Sequence, residues 1–166
     1  MLGPMPYQAV NTLFDAANPP GTKGYIKSHY FSEYSDEVIA AIHANTARMP
    51  AGLSQMLNVQ LGGAVARVPD DATAFGGRSA GFLGMFFGVW EDAGQREACV
   101  SWSRSFADSL APFALGGTYV NLTDDETEER IARSYGRDKL ARLARIKAKY
   151  DPDNIFRLNH NIRPAP

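Results

Sequence analysis

Apolar residues recur along this chain with two different periods, and the change of period divides it into strands and helices. The run FLGMFFGVW at Phe82–Trp90 carries no charged or amide side chain. It predicts the central strand of a sheet. Residues 53–61 alternate, with Leu53, Leu57, Val59 and Leu61 set against Gln55, Asn58 and Gln60, which predicts a second strand. Residues 24–31 predict a third, with Tyr25, Ile26, Tyr30 and Phe31 as packing residues.

Helical spacing appears elsewhere. Residues 7–17 place Tyr7, Val10, Leu13 and Phe14 on one face. Ser35-Asp36-Glu37 reads as a helix start, since acids suit the positive end of the dipole. Val38, Ile39, Ile42 and Thr46 then follow at helical period, and Pro50 and Gly52 end the segment. Residues 94–110 put Cys99, Trp102 and Phe106 on one face. Tyr119–Leu122 reads as a short extended piece, and Thr123-Asp124-Asp125-Glu126 as a capping box. Two helices follow, broken near Tyr135-Gly136. Asn18-Pro19-Pro20-Gly21 and residues 69–74 are turn-rich breaks.

No internal repeat divides the chain, so one domain is expected. Its class is α+β, an antiparallel sheet with helices packed on one face. Residues 1–149 form the domain and residues 150–166 a closing tail.

Composition narrows the function classes. The chain has 166 residues, 45% of them hydrophobic and 11% aromatic, which suits a cored domain rather than a disordered or fibrous one. A net charge of -1 gives no global pull toward nucleic acid or acidic lipid. The eight basic residues between Arg130 and Lys149 adjoin the acidic run 124–129, so a solvated helical face is the better reading. Cys99 is the single cysteine, which excludes an internal disulfide and a cysteine-based metal cluster. His29, His43 and His160 lack metal-ligand spacing, so no metal site is expected. No G-x-S-x-G elbow points to a hydrolase. No apolar run reaches the roughly 18 residues of a membrane span. The first ten residues lack a signal-peptide pattern, and a cytoplasmic location is the expectation.

The tail is the most informative stretch. It reads YDPDNIFRLNHNIRPAP. Pro152 stops the preceding helix and pushes Asp151 toward extended geometry. Asp153 and Asn154 suit a tight turn. Ile155, Phe156 and Leu158 then read as apolar anchors, with the amides of Asn159 and Asn161 beside them.

This ending resembles the berberine-bridge-like closing segment of FAD-linked oxidoreductases, YDP-x-N-x-F-x-x-N-x-N-I-x-P. Three further stretches fit the same family in order and spacing. They are GGAVARVPDDATAF at 62–75, the pair Trp90 and Trp102 bracketing a polar helix, and GGTYVNL at 116–122. The resemblance implies the C-terminal, substrate-side part of an FAD-dependent oxidase acting on alcohol or amine carbons. FAD is then the cofactor of the complete protein, held mainly by a larger domain whose glycine-rich loops are not in this sequence. There is no G-x-G-x-x-G and no G-x-x-x-x-G-K-[ST] here. Weak or no FAD binding by this chain alone is expected. The implied partners are an FAD-binding domain or subunit and a small-molecule substrate, with no nucleic acid and no membrane, and a homo-oligomer left open.

Specific residues carry the resemblance. Tyr119 is the catalytic candidate, because flavin oxidation removes a hydride from carbon while a base takes a proton from oxygen or nitrogen. A free tyrosine ionises near pH 10, so a tyrosine base needs a neighbour that stabilises the phenolate. Asn121 and Asn159 are the cofactor-binding candidates, since an amide can both donate to and accept from the edge of a flavin ring. Tyr119 packing in a core, with Asn121 capping the next helix, is the plainer alternative. Asn161 is read as tying the tail's own backbone. Arg78 is the substrate-binding candidate, weighed against a loop-holding role. In the family a histidine commonly precedes this arginine, and here Gly77 stands there. His160 stands where glutamine is common. A fragment without catalysis, a separate subunit and a stand-alone ligand-binding module are the rival readings.

Overall fold

The computed structural model describes residues 3–166 other than 14, 18, 51 and 123–126, and only the backbone of 128 and 130. Phe14 on the first predicted helix, the predicted capping box Thr123–Glu126, and the side chain of Arg130 therefore lie outside the described residues.

The elements run α1 (Tyr7–Asn11), β1 (Lys23–Phe31), α2 (Asp36–Thr46), β2 (Gln55–Gln60), α3 (Ala64–Arg67), β3 (Phe82–Trp90), α4 (Arg96–Leu110), α5 (Glu128–Tyr135) and α6 (Arg137–Tyr150). The strands form one antiparallel sheet in the order β1-β3-β2. β3 is central, as its unbroken apolar run predicts. Its register pairs Phe31 with Phe82 and Ile26 with Phe87 on one side, and Leu57 with Met85 on the other.

Strand alternation gives β3 two faces. Phe82 and Phe86 join Phe31, Val38, Trp102, Phe106 and Leu110 in a cluster beneath α2 and α4. Phe31, Phe86 and Phe106 are fully buried, and each contributes about 2–3 kcal/mol by leaving water. α4 delivers its predicted stripe here, with Cys99, Trp102 and Phe106 all buried. Ser103 Oγ donates to the Phe86 carbonyl at 2.7 Å, and the Trp102 indole donates to the Asn45 carbonyl at 2.9 Å, tying α4 to the sheet and to α2. A side chain at Gly88 would put its Cβ 2.3 Å from the Cys99 carbonyl oxygen. Gly88 is therefore what lets the α4 backbone lie against β3.

The other face carries Leu83 and Met85, packed with Tyr30, Ile26, Leu57, Phe87, Tyr119 and Leu122. It is covered by connecting segments. Val59, on the same face of the edge strand β2, remains 42% exposed.

Three expectations are corrected. The face of Tyr7, Val10 and Leu13 is exposed, not packed, because α1 is only five residues long and its stripe ends after little more than one turn. Ile39 lies on the solvent side of α2 while Val38 is buried. Tyr119–Leu122 is not extended: Val120–Leu122 forms a 3₁₀ turn closed by Leu122 N–H on the Tyr119 carbonyl at 2.8 Å. Ser35 caps α2 as expected, its hydroxyl accepting Val38 N–H. The break at Gly136 separates α5 from α6. Among the described residues no helix is long and apolar enough to cross a membrane, and no His, Cys, Asp and Glu side chains gather to hold a metal ion.

The Gly88 contact gives a direct test. Gly88→Ala must push α4 off β3, and a stability loss of about 1–3 kcal/mol is expected in urea unfolding of the purified chain. An unchanged midpoint would show that α4 does not sit where described.

Candidate functional site

Tyr119 is fixed from its neighbour outward. Gly116 and Gly117 both take positive φ, at 79° and 69°, and a Cβ at Gly117 would lie 2.8 Å from the Arg133 carbonyl oxygen. These two glycines bring the chain across the end of β1 and against α5. Thr118 then plugs into the sheet. Its buried hydroxyl lies 2.5 Å from the Ser28 hydroxyl and 3.2 Å from the Ser28 carbonyl. Tyr119 follows, half-buried, on the face of β3 that α2 and α4 leave free.

Asn121 is exposed, and its amide donates to the Tyr119 hydroxyl oxygen at 2.9 Å. The structure thus brings these two candidates together. The contact also leaves the phenol's own hydrogen free to point elsewhere. Phe75 meets the Tyr119 ring edge-on at 5.9 Å, and the Arg78 guanidinium sits over the Phe75 ring at 5.1 Å.

Arg78 is committed to its own loop. It donates to the Val65 carbonyl at 3.0 Å and the Thr73 hydroxyl at 2.7 Å, and its Nε is buried with no partner among the described residues. The basic helix α6 grips the same loop. Lys139 pairs with Asp70 at 2.7 Å and donates to the Phe75 carbonyl at 3.0 Å, while Arg142 donates to the Asp71 carbonyl at 2.9 Å. So part of the basic run, expected to be a solvated face, holds the segment that backs Tyr119.

Tyr30, Phe75, Gly76, Tyr119, Ser134 and Tyr135 line a cavity of about 140 Å³. Tyr30 and Tyr135 were not singled out for chemistry in the sequence. The available signal was the glycine pair at 76–77, which marks a place where other groups come close.

Asn159 lies apart. It is exposed, with φ of 60°, and lines a separate cavity of about 370 Å³ with Ile131, Leu140, Asn161 and Ile162. The Asn159 carbonyl accepts Asn161 N–H at 2.7 Å, and Ala165 N–H returns to the Ala144 carbonyl at 3.0 Å.

The tail is pinned by polar groups, which corrects the expectation of apolar anchors. Ile155, Phe156 and Leu158 are 72%, 82% and 87% exposed. What fixes the turn is the buried Asp151 carboxylate, which pairs with Lys147 and accepts the backbone N–H of Ile155 at 2.8 Å and Phe156 at 3.0 Å. Lys147 also donates to the Phe156 carbonyl. The Lys147 hydrogen bond, helped by those two amides, holds Asp151 below the usual carboxylate range against the opposing effect of burial. Apolar side chains are left pointing outward from an ordered backbone.

The cavity beside Tyr119 is smaller than a flavin ring system, so it does not enclose an FAD molecule. An exposed amide and a half-exposed phenol at the edge of a partly covered apolar sheet face do fit one wall of a flavin site.

Residues 118–163 match the family described as berberine and berberine like. An uncharacterised FAD-linked oxidoreductase of Bacillus subtilis, YvdP, is 32% identical over 80% of this chain and 29% of its own length. A second from the same organism, YgaK, is 30% identical over 99% of this chain and 36% of its own. Among solved structures, CrmK, a flavoenzyme of shunt product recycling in caerulomycin biosynthesis, superposes with a TM-score of 0.79. It is 25% identical and covers 97% of this chain and 37% of its own. The chain spans about a third of the length of the curated relatives it matches. It contains a berberine-like region and is similar to the corresponding third of proteins named FAD-linked oxidoreductases.

The tail yields a prediction with a definite sign. A depressed carboxylate stabilises the pinned turn above the ordinary aspartate range of about 3.9, and that contribution fades as pH falls through Asp151's lower value. Asp151→Ala should therefore open the tail even at neutral pH, with trypsin cutting after Arg157 several-fold faster than in the parent. Equal cleavage rates would show that the carboxylate does not hold it.

Proposed function

We propose that this chain forms the substrate-side wall of an FAD-dependent oxidase acting on alcohol or amine carbons, and that it works when docked on an FAD-binding domain or subunit. The observation that carries this reading is the pairing of Tyr119 and Asn121 at the sheet face that the helices leave open. Flavin, held by the complete protein, supplies the two-electron acceptor for a substrate hydride. Tyr119, present as its phenolate, would take the proton from the substrate's hydroxyl or amine as that hydride leaves, and would end as the neutral phenol. The Asn121 N–H keeps the oxygen oriented and stabilises the phenolate before the proton arrives. Ile26, Leu57, Val59 and Phe87 provide the apolar surface on which the substrate's carbon skeleton lies. Asn159, exposed on the tail, would offer the flavin a second amide. Arg78 serves the substrate by fixing the 65–78 loop behind Phe75 and Tyr119.

The tail supports the same partner. An ordered turn that displays Tyr150, Ile155, Phe156 and Leu158, each more than 70% exposed, presents a ridge suited to burial against another surface. Covering these four side chains contributes several kcal/mol to docking.

A chimaera tests this. The chain replaces the corresponding region of the Bacillus subtilis YgaK relative, and bound flavin and oxidation of a panel of alcohols and amines are measured. The expected product is a yellow protein that reduces its flavin with some member of the panel. In it Tyr119→Phe should slow flavin reduction by roughly 10²-fold with flavin content unchanged, and Phe156→Ser with Leu158→Ser should lose the flavin. Tight FAD binding and turnover by the 166-residue chain alone would contradict the docking requirement. Full activity in Tyr119→Phe would remove its catalytic role.

A further inference from the structure

We propose that Tyr30 is a positioning residue for Tyr119: a buried phenol seated in space that Gly77 leaves free, facing Tyr119 across the cavity both residues line. The inference rests on Tyr119 being the residue that meets substrate, and adds a second phenol to that site.

Tyr30 is 4% exposed and is locked by β1. Its backbone pairs with Leu83, and its carbonyl accepts Leu115 N–H at 2.9 Å. Its ring occupies the place where a side chain at position 77 would begin. A Cβ built on Gly77 would lie 2.5 Å from Tyr30 Cζ and 2.6 Å from Cε1, and Gly77 has φ of 78°. Any side chain at 77 and the Tyr30 ring therefore exclude each other in this arrangement. Gly76 closes the cavity beside them, since its Cβ would come within 2.5 Å of the Ser134 carbonyl oxygen.

The Tyr30 hydroxyl reaches the Gly76 carbonyl at only 3.5 Å, a long contact that commits it weakly. The other titratable groups lining its cavity are Tyr119 and Tyr135, with no carboxylate or cationic side chain among the lining residues. Nearby cations are turned to other work, Arg78 over the Phe75 ring and Lys139 on the Phe75 carbonyl. Burial pushes the Tyr30 phenol up to about 12, and repulsion from Tyr119 adds to the effect. Tyr30 thus stays a neutral hydrogen-bond donor through the neutral pH range. A neutral phenol beside a charging one lends its O–H dipole to that charge.

Tyr30→Phe removes the hydroxyl and keeps the ring. Purified chain carrying isotope-labelled tyrosine is titrated by NMR, with Tyr119→Phe identifying the Tyr119 resonance. In Tyr30→Phe the Tyr119 midpoint should move up by roughly half a pH unit or more. An unmoved midpoint in folded Tyr30→Phe would overturn the proposal, because a purely structural Tyr30 would alter unfolding alone. Gly77→Ala, which unseats the ring, should also shift the Tyr119 resonance. Gly21→Ala has the same backbone cost, at φ of 91°, but adds its Cβ to open space and should leave the resonance in place. Equal responses from the two glycine variants would overturn it as well. No flavin enters this titration, so an inactive chimaera would count against the flavin reading alone.

Discussion

A strand that is apolar on both faces must be covered twice, and β3 sets that requirement for the rest of the molecule. α2 and α4 satisfy it on one side, where Gly88 allows backbone contact and Phe86 sits under Phe106 at a ring distance of 4.4 Å. The second side has no helical layer of that kind. Loops and the 118–122 segment cover it in part, and they bring polar side chains to a surface that is otherwise apolar. An apolar floor with a few placed polar groups is the chemistry of a small-molecule site.

Those polar groups depend on contacts well away from them. Thr118 is bolted to Ser28, so Tyr119 inherits the rigidity of β1. Phe75, behind Tyr119, is held through Arg78 from within its loop and through Lys139 and Arg142 from α6. α6 then runs into Asp151, whose carboxylate organises the tail. Hydrogen bonds and ion pairs thus link tail, basic helix and loop, and the Phe75–Tyr119 ring contact carries the connection on to the phenol.

Much of this was legible in the sequence where one period dominated over many residues. β3, α2, α4 and the α5–α6 break follow from apolar runs, helical stripes and a glycine. The family resemblance was carried by the tail and by the glycine-flanked segments. Where several partners compete for one side chain, composition was silent. Ile155, Phe156 and Leu158 look like anchors until Asp151 and Lys147 are seen to hold the backbone instead. The cations at 139 and 142 read as solvated because their acceptors are carbonyls and an acid some seventy residues away. Tyr30 read as simple packing because its meaning depends on Gly77, which is distant in sequence and close in space. Alternation along β2 and β3 could not tell which face is open. Only the placement of α4 decides it.

The central claim is that the helix-free sheet face and the tail ridge together meet the flavin-bearing partner. Backbone hydrogen exchange, compared between the isolated chain and the flavin-loaded chimaera, tests it most directly. Added protection is predicted at 55–60, 118–122 and 150–158, with the exchange of α4 unchanged. Protection that appears on α2 and α4, with those three segments unaffected, would contradict it.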